Sequence, residues 1–414
     1  MAQALSAQVQ AEVLPSPLTL DTALSLSDSS HPDLQLANAN LAVAVSRRLE
    51  VGSNNDVEAY FEVGPYASNP ATNDHFLNDS YLLFSVTKTL YDFGYSDTME
   101  ASADEDVISQ ELIATDTRNK HYLNIMRHFF DVLLADLHFA AIDEEMTSLY
   151  VVYDKLRERQ TLGMVDEVEL ATAESVYRDA ADRRKMSEIE QQASRQRLAI
   201  ALNRPDDIPA DLIRPDLPEV ERAIPAVDAL LDEAFHNNLM LTALEHAMQA
   251  DRSALKAAQQ QYGPTVTAGL ELGEYARRLP GRNNASIGVS LHVPLTSSRS
   301  QVEAARAAAE LSTSQANYDR AKYSLRQNLS DLVRRLELLH YKRNTDQLRL
   351  NSTALKLEKS RARYEMEIQS TLGNTMAQYT EAEWLSAKND FDIATTWAQI
   401  EILTGKKLYQ ERGK

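Results

Sequence analysis

Two stretches of this chain contain almost nothing that would stop a helix. Residues 95–204 hold no proline and one glycine, Gly163, and residues 299–403 hold no proline and one glycine, Gly373. Both are dense in Ala, Glu, Gln, Arg and Leu, which favour helix, and both lack the usual stop signals. Up to Tyr364 the second stretch spans roughly 100 Å at 1.5 Å per residue, longer than the core of any single compact domain. Unbroken, the first would reach about 160 Å, so it must turn, and Gly163 in RQTLGMVDEVELATAE is the place for it. Two such arms in one chain point to a duplication.

What precedes each arm supports this. Leu18 to Leu49 reads as helix with Asp21 as its cap, ending at Gly52-Ser53-Asn54-Asn55. The period then falls to two. In VEAYFEVGPY, Val57, Ala59, Phe61 and Val63 alternate with Glu58, Tyr60 and Glu62, and in YLLFSVTKTLYD, Leu82, Phe84, Val86 and Leu90 fall together. Asn203-Arg204-Pro205 opens a crossover with prolines at 205, 209, 215, 218 and 225. The plan then restarts. Val227 to Gln261 is helical, Val266, Ala268, Leu270 and Leu272 alternate with Thr265, Thr267 and Glu271, and Ile287, Val289, Leu291, Val293 and Leu295 alternate with Ser286, Gly288, Ser290 and His292. The expected organisation is an N-terminal extension (1–17), a first repeat (18–204, strands 57–67 and 80–92, arm 95–204), the crossover (205–225), a second repeat (226–405, strands 264–276 and 285–296, arm 299–404) and a tail (406–414). The first strands of the halves stand about 207 residues apart.

Composition removes several function classes. Among 414 residues, 43% are hydrophobic, yet no window approaches the 18 or so consecutive apolar residues of a spanning helix. A formal charge of −19 argues against nucleic acid or anionic lipid heads as the main partner. Without cysteine there are no disulfides, thiolate metal sites or lipid-modified N-terminal cysteine. The start, MAQALSAQVQAEV, lacks a basic region followed by an apolar run, so no signal peptide is read there; this fits a cytosolic chain or the mature form of an exported one. No glycine-rich phosphate loop or nucleophile elbow assembles an enzyme site, and no cofactor is implied. His121 and His128 are seven apart on one helix face, with His138 ten further on, and seven-residue spacing separates two rings by about 10 Å, too far for one metal ion.

Four amphipathic strands of about ten to twelve residues match what crosses a bilayer at a tilt. Four cannot close a barrel, and an open sheet edge in lipid leaves backbone groups unpaired at several kilocalories each. A membrane reading therefore makes several chains pool strands, and three copies give twelve. The same assembly gathers the arms into a tube, with Glu58, Glu62, Glu271 and the strand serines and threonines facing water. The alternative from periodicity alone is two soluble hairpins packed on helices, with the arms forming an ordinary coiled coil.

Particular motifs then favour one of these. Thr89-Leu90-Tyr91-Asp92-Phe93-Gly94 resembles the Pro/Thr-Leu-Phe/Tyr-Asp-x-Gly step from strand to long helix in the TolC family of outer-membrane ducts. Pro294-Leu295-Thr296-Ser297 holds the equivalent place in the second half, without the aspartate and glycine. The family's arm turn, Val-Gly-Leu-x-x-x-x-Asp, is resembled by Leu162-Gly163-Met164-Val165 with Glu169 at the acidic position, followed by Ala173 and Tyr177 at the family spacing. The arms end in the family's manner at Leu202-Asn203-Arg204-Pro205 and Leu403-Thr404-Gly405.

The resemblance covers nearly the whole chain. It implies a mainly helical protein with transmembrane β-structure: a homotrimer whose twelve-stranded β-barrel, four strands per chain, is continuous with a long α-helical barrel in the periplasm of a bacterium. Its partners would be outer-membrane lipid, a periplasmic adaptor and, indirectly, an inner-membrane pump, and its role the passive export of drugs or metal ions. The exit tunnel of a type I protein-secretion system has the same architecture, and a soluble periplasmic coiled-coil adaptor is the alternative of a different class. At the periplasmic gate, Glu169 and Tyr364 match family positions, whereas Gln369 stands for an arginine and Gly373 and Met376 for two aspartates. A charge-assisted bond is roughly twice as strong as a neutral one, so Gln369 would lock the gate less firmly. Asp166, Glu167, Glu365 and Glu367 would supply negative charge nearby instead. Leu162, Gly163, Met164, Val165 and Ile368 would form the adaptor-facing turns, with Met164, Met366 and Met376 as adaptable contacts.

Overall fold

The computed structural model describes residues 14–27, 30–53, 55–69, 75–277, 279, 282–295, 298–366 and 372–406. The elements are α1 (Leu20–Ser25), α2 (Pro32–Ser53), β1 (Glu58–Gly64), β2 (Ala67–Ser68), β3 (Leu77–Asn78), β4 (Tyr81–Tyr91), α3 (Tyr95–Thr161), α4 (Glu167–Ala201), α5 (Val227–Asn237), α6 (Leu239–Gln260), β5 (Thr265–Tyr275), β6 (Ala285–His292), α7 (Ser298–Glu365) and α8 (Leu372–Leu403). Helices α3 and α7 run for 67 and 68 residues, as the absence of breakers dictates.

Two expected helices are each broken. Leu18–Leu49 is interrupted between α1 and α2, because Pro32 has no N–H to continue a helix and begins the second one instead. Asp21 lies in the first turn of α1, and the cap is Thr19, whose Oγ1 accepts from the Thr22 N–H at 3.2 Å. Val227–Gln261 is interrupted at Asn238, which is extended and donates from Nδ2 to the Leu403 carbonyl at 3.0 Å.

The chain forms two compact units, each drawing on both halves of the sequence. One contains the described parts of 1–35, 115–238 and 324–414; the other contains 36–114 and 239–323. The first is a helical bundle whose core joins Leu18, Ile125, Phe129, Leu198, Leu202 and Phe391, with the rings of Phe130 and Phe391 stacked 4.4 Å apart. The crossover is irregular apart from one 3-10 turn at Pro218–Glu221, and it is tied to this bundle. Leu18 N–H donates to the Asp211 carbonyl at 2.7 Å, Arg214 reaches Asp390 at 3.1 Å, Glu221 meets Arg343 at 3.5 Å, and the Arg222 guanidinium lies 4.2 Å over Trp397; within the bundle Arg343 also reaches Asp390 at 3.4 Å. Burial raises the Asp390 carboxyl above the ordinary carboxylate range despite Arg343 and Arg214.

The second unit carries an antiparallel four-stranded sheet in the order β1-β4-β5-β6. Strands β4 and β5 are 11 residues each, β1 is 7 and β6 is 8. Backbone groups of β1 and β6 form the two edges.

Candidate functional site

Cross-strand register sorts the sheet into two faces, because residues paired across antiparallel strands project to the same side. Phe61, Phe84, Leu272 and Ala285 form one row; Ala59, Val86, Leu270 and Ile287 form the next. The opposite side is polar, with Tyr60, Ser85, Glu271 and Ser286 in one row and the Thr267 and Ser290 hydroxyls 2.7 Å apart in another. The apolar side is uncovered: Ile287 is 85% exposed, Val289 68%, Leu291 62% and Phe61 60%. Single exposed apolar residues are unremarkable, but a whole sheet face is a site.

The alternation through β4 is corrected at its end. The sequence pattern places Leu90 with Leu82, Phe84 and Val86, whereas the register shifts between Thr89 and Tyr91, leaving Leu90 as the extra residue of a bulge. Tyr91 pairs with Val266 and so joins the apolar side, and Lys88, paired with Ala268, occupies that side one row above it.

Asp92 explains the step from strand to helix. Its Oδ1 accepts from the Gly94 N–H at 3.2 Å and its Oδ2 from the Ser96 N–H at 2.9 Å, with the Ser96 hydroxyl a further donor. These close the first turn of α3 and satisfy N–H groups that the helix leaves unpaired. Burial opposes the charge, yet these bonds hold the carboxyl below the ordinary carboxylate range. Gly94 sits at φ 92° and Phe93 at φ 57°, which folds the Phe93 ring to 4.8 Å from Tyr91. In the second half Pro294 and Leu295 follow β6, and Leu295 is 92% exposed.

At the far end of the first arm, Gly163 takes φ 72° and donates to the Gln160 carbonyl at 2.8 Å, while the Met164 N–H donates to the Arg159 carbonyl at 3.0 Å. This left-handed close ends α3. Asp166 then caps α4, accepting from the Glu169 N–H at 2.7 Å. Leu162, Met164, Asp166, Glu167 and Glu169 are exposed and Val165 half-buried. Tyr177 ties the two segments together, its ring stacked 5.6 Å from Tyr153 and tilted 5.4 Å from Tyr150.

At the second arm, Tyr364 and Glu365 are exposed at the end of α7, and Glu367, Ile368 and Gln369 lie outside the described residues. No hydrogen bond joins Tyr364 to Glu169 among the described residues. Gly373 is in packing contact: a Cβ there would meet Ser148 Oγ at 3.0 Å and Ser148 Cβ at 3.1 Å, so α8 passes close to α3 at this glycine. Met376 is half-buried one turn further on.

Two surfaces escaped the sequence reading. On α7, Leu325, Leu329, Leu336 and Leu357 are buried, yet Leu338, Tyr341, Leu348 and Leu355 form a second apolar seam at spacings of three and seven and are exposed. Met186, Ile189 and Ile200 are exposed on α4 at related spacing. Helical periodicity announces such stripes, but without a partner in view both seams of α7 read as one broad amphipathic face. As for the histidines, the His121 ring lies tilted 4.3 Å from His31 and the His138 ring tilted 4.5 Å from Trp384, and among the described residues no group of His, Asp and Glu is placed to hold a metal ion. No described helix is long and apolar enough to cross a membrane.

No family model matches the chain, and no curated protein matches it in sequence. Solved structures do. The chain superimposes on CusC, described in terms of transmembrane channel formation, with a TM-score of 0.76 at 14% identity, covering 94% of this chain and 92% of that one. The Neisseria gonorrhoeae MtrE outer membrane channel in its open state gives 0.76 at 14% identity over 95% and 91%. The outer membrane protein VceC of Vibrio cholerae gives 0.74 at 16% identity over 94% and 97%. This chain therefore has the fold of these outer-membrane channel proteins along nearly its whole length.

Proposed function

We propose that the chain is the outer-membrane exit duct of a bacterial tripartite efflux system. Three copies pool their sheets into a twelve-stranded barrel continuous with a periplasmic tube of long helices. Small molecules handed over by an inner-membrane pump and a periplasmic adaptor then pass out passively, without chemistry in the duct.

The observation that carries this reading is the uncovered apolar side of a sheet with two open edges. Soluble hairpins packed on helices would bury Ile287, Val289 and Leu291 against their own chain, whereas these are mostly exposed. Lipid covers such a face, and closure with neighbouring copies removes the edges. The polar side, with Glu58, Glu62 and Glu271, then faces a water-filled lumen and favours cations. The exposed seams of α4 and α7 supply the contacts by which helices of adjacent copies form the tube.

The periplasmic entrance falls at the arm turns. Glu169 and Tyr364 stand there with Asp166, Glu167 and Glu365, while Leu162 to Val165 meet the adaptor. Gly373 belongs to the packing of α8 on α3 in this scheme, since no pore-lining side chain fits where Ser148 already sits.

The mass of the full chain, measured by light scattering in detergent and in buffer, tests the reading. A detergent-requiring particle of three chains supports it. A monodisperse monomer in plain buffer would overturn it in favour of the soluble-hairpin alternative.

A further inference from the structure

The apolar side of the sheet carries one basic residue among its paired rows. From the helix-side end upward the rows are Tyr91, Val266 and Leu291; Lys88, Ala268 and Val289; Ala59, Val86, Leu270 and Ile287; Phe61, Phe84, Leu272 and Ala285; then Val63, Leu82 and Glu274. Lys88 is exposed, and among the described residues no carboxylate pairs with it. A lysine facing lipid is costly at the middle of a bilayer and nearly free near its surface, so its row matters. Two residues of strand place it about 7 Å above the lowest row, within reach of the interface for a side chain that extends its ammonium toward the headgroups.

What surrounds that reach is also specific. The Tyr91 and Phe93 rings lie 4.8 Å apart at the helix-side rim, 58% and 47% exposed. Phe93 holds this position through a left-handed backbone that an L side chain with this bulk rarely adopts. The amphipathic Tyr91 ring settles at the headgroup level, with Phe93 packed against it. The bulge at Leu90 brings Tyr91 onto the same side as Lys88, so cation and ring pair belong to one surface.

We propose that Lys88, above the Tyr91–Phe93 pair, is a binding point for the phosphate of an anionic phospholipid in the leaflet nearest the helices. This rests on the membrane reading above. The lysine supplies the charge, the ring pair fixes the depth at which the sheet sits, and Val266, Ala268, Val289 and Leu291 provide apolar surface for the acyl chain.

The test reconstitutes the full chain into phosphatidylethanolamine vesicles with and without phosphatidylglycerol, re-extracts it in mild detergent, and counts phosphatidylglycerol retained per chain by mass spectrometry. Lys88→Gln should retain about fivefold less than wild type, the ratio equivalent to about 1 kcal/mol for one basic residue at an anionic surface. Lys88→Arg should restore retention. Equal retention by wild type and Lys88→Gln, with both inserted in the vesicles, would overturn the lipid site and leave the duct reading standing. Failure of the wild type to enter vesicles would overturn both.

Discussion

Arginine placed at successive positions of β6 should be tolerated and rejected in alternation. Ile287 lies in the third of five apolar rows, and Ser286, one residue earlier, lies in the polar row with Ser85 and Glu271. Rows two residues apart are separated by about 6.8 Å along a strand, so five rows span about 27 Å, or about 21 Å of height at a tilt near 40°. That fills most of the apolar band of about 25 Å on a transmembrane barrel and puts Ile287 close to its middle. Arginine facing lipid at the midplane costs about 2–4 kcal/mol, which for Ile287→Arg means about a 30-fold to several-hundredfold smaller inserted fraction per chain. Ser286→Arg, facing the lumen, should insert like wild type, and Leu291→Arg, at the rim, should lose about fivefold or less. Flotation of the full chain with vesicles across a urea series reads these fractions. Equal losses at Ser286 and Ile287, or no loss at either, would refute the assignment of faces on which the barrel depends.

Other consequences follow from single contacts. Asp92→Ala removes the cap of α3 and should cost about 1–2 kcal/mol in urea unfolding. Because the folded Asp92 carboxyl is depressed, its contribution is present above the ordinary carboxylate pKa and lost as pH falls through the folded value, so the variant should lack that acid-sensitive component. Burial, with His31 adding to it, lowers His121 from 6.5 to about 4, so its contribution is complete above 6.5 and lost as pH falls toward about 4. That loss is on the order of 3 kcal/mol, and His121→Phe should flatten the stability curve in this window; an unchanged slope would contradict it. Gly373→Ala should destabilise by about 1 kcal/mol or more by crowding Ser148, and should cost less when made in a Ser148→Gly background, as thermal melts of the two pairs would show. Gly163→Ala, with nothing within 4 Å of the added Cβ but φ at 72°, should cost about 1 kcal/mol that no second substitution relieves.

What could be read beforehand was whatever depends on one chain's own periodicity. The two strands of each half, the long helices and the turn at Gly163 follow from alternation, from the absence of proline and from one glycine needing positive φ. The bulge at Leu90 could not be read that way. An inserted residue leaves the residue types unchanged and appears only when β5 is laid beside β4. Pro32 was visible, yet the apolar stripe from Leu34 onward masked its role as a helix start. The seams on α4 and α7 were hidden for a different reason, since the apolar residues of an intermolecular contact look like those of a core. Among the gate positions, Glu169 and Tyr364 lie at the ends of arm helices whose limits the sequence shows, whereas the close approach of Gly373 to Ser148 appears only in the distances. The motif at Thr89 to Gly94 could be recognised from its residues, while the reason for it, a carboxylate closing the first turn of α3, required the distances.

The most direct measurement of the central claim is single-channel conductance of the purified chain in a planar bilayer. Stable, cation-preferring openings of uniform size, lost on Ile287→Arg and retained on Ser286→Arg, are the result the duct predicts. A chain that never conducts, and that leaves the bilayer unperturbed at concentrations where it remains folded, would contradict it.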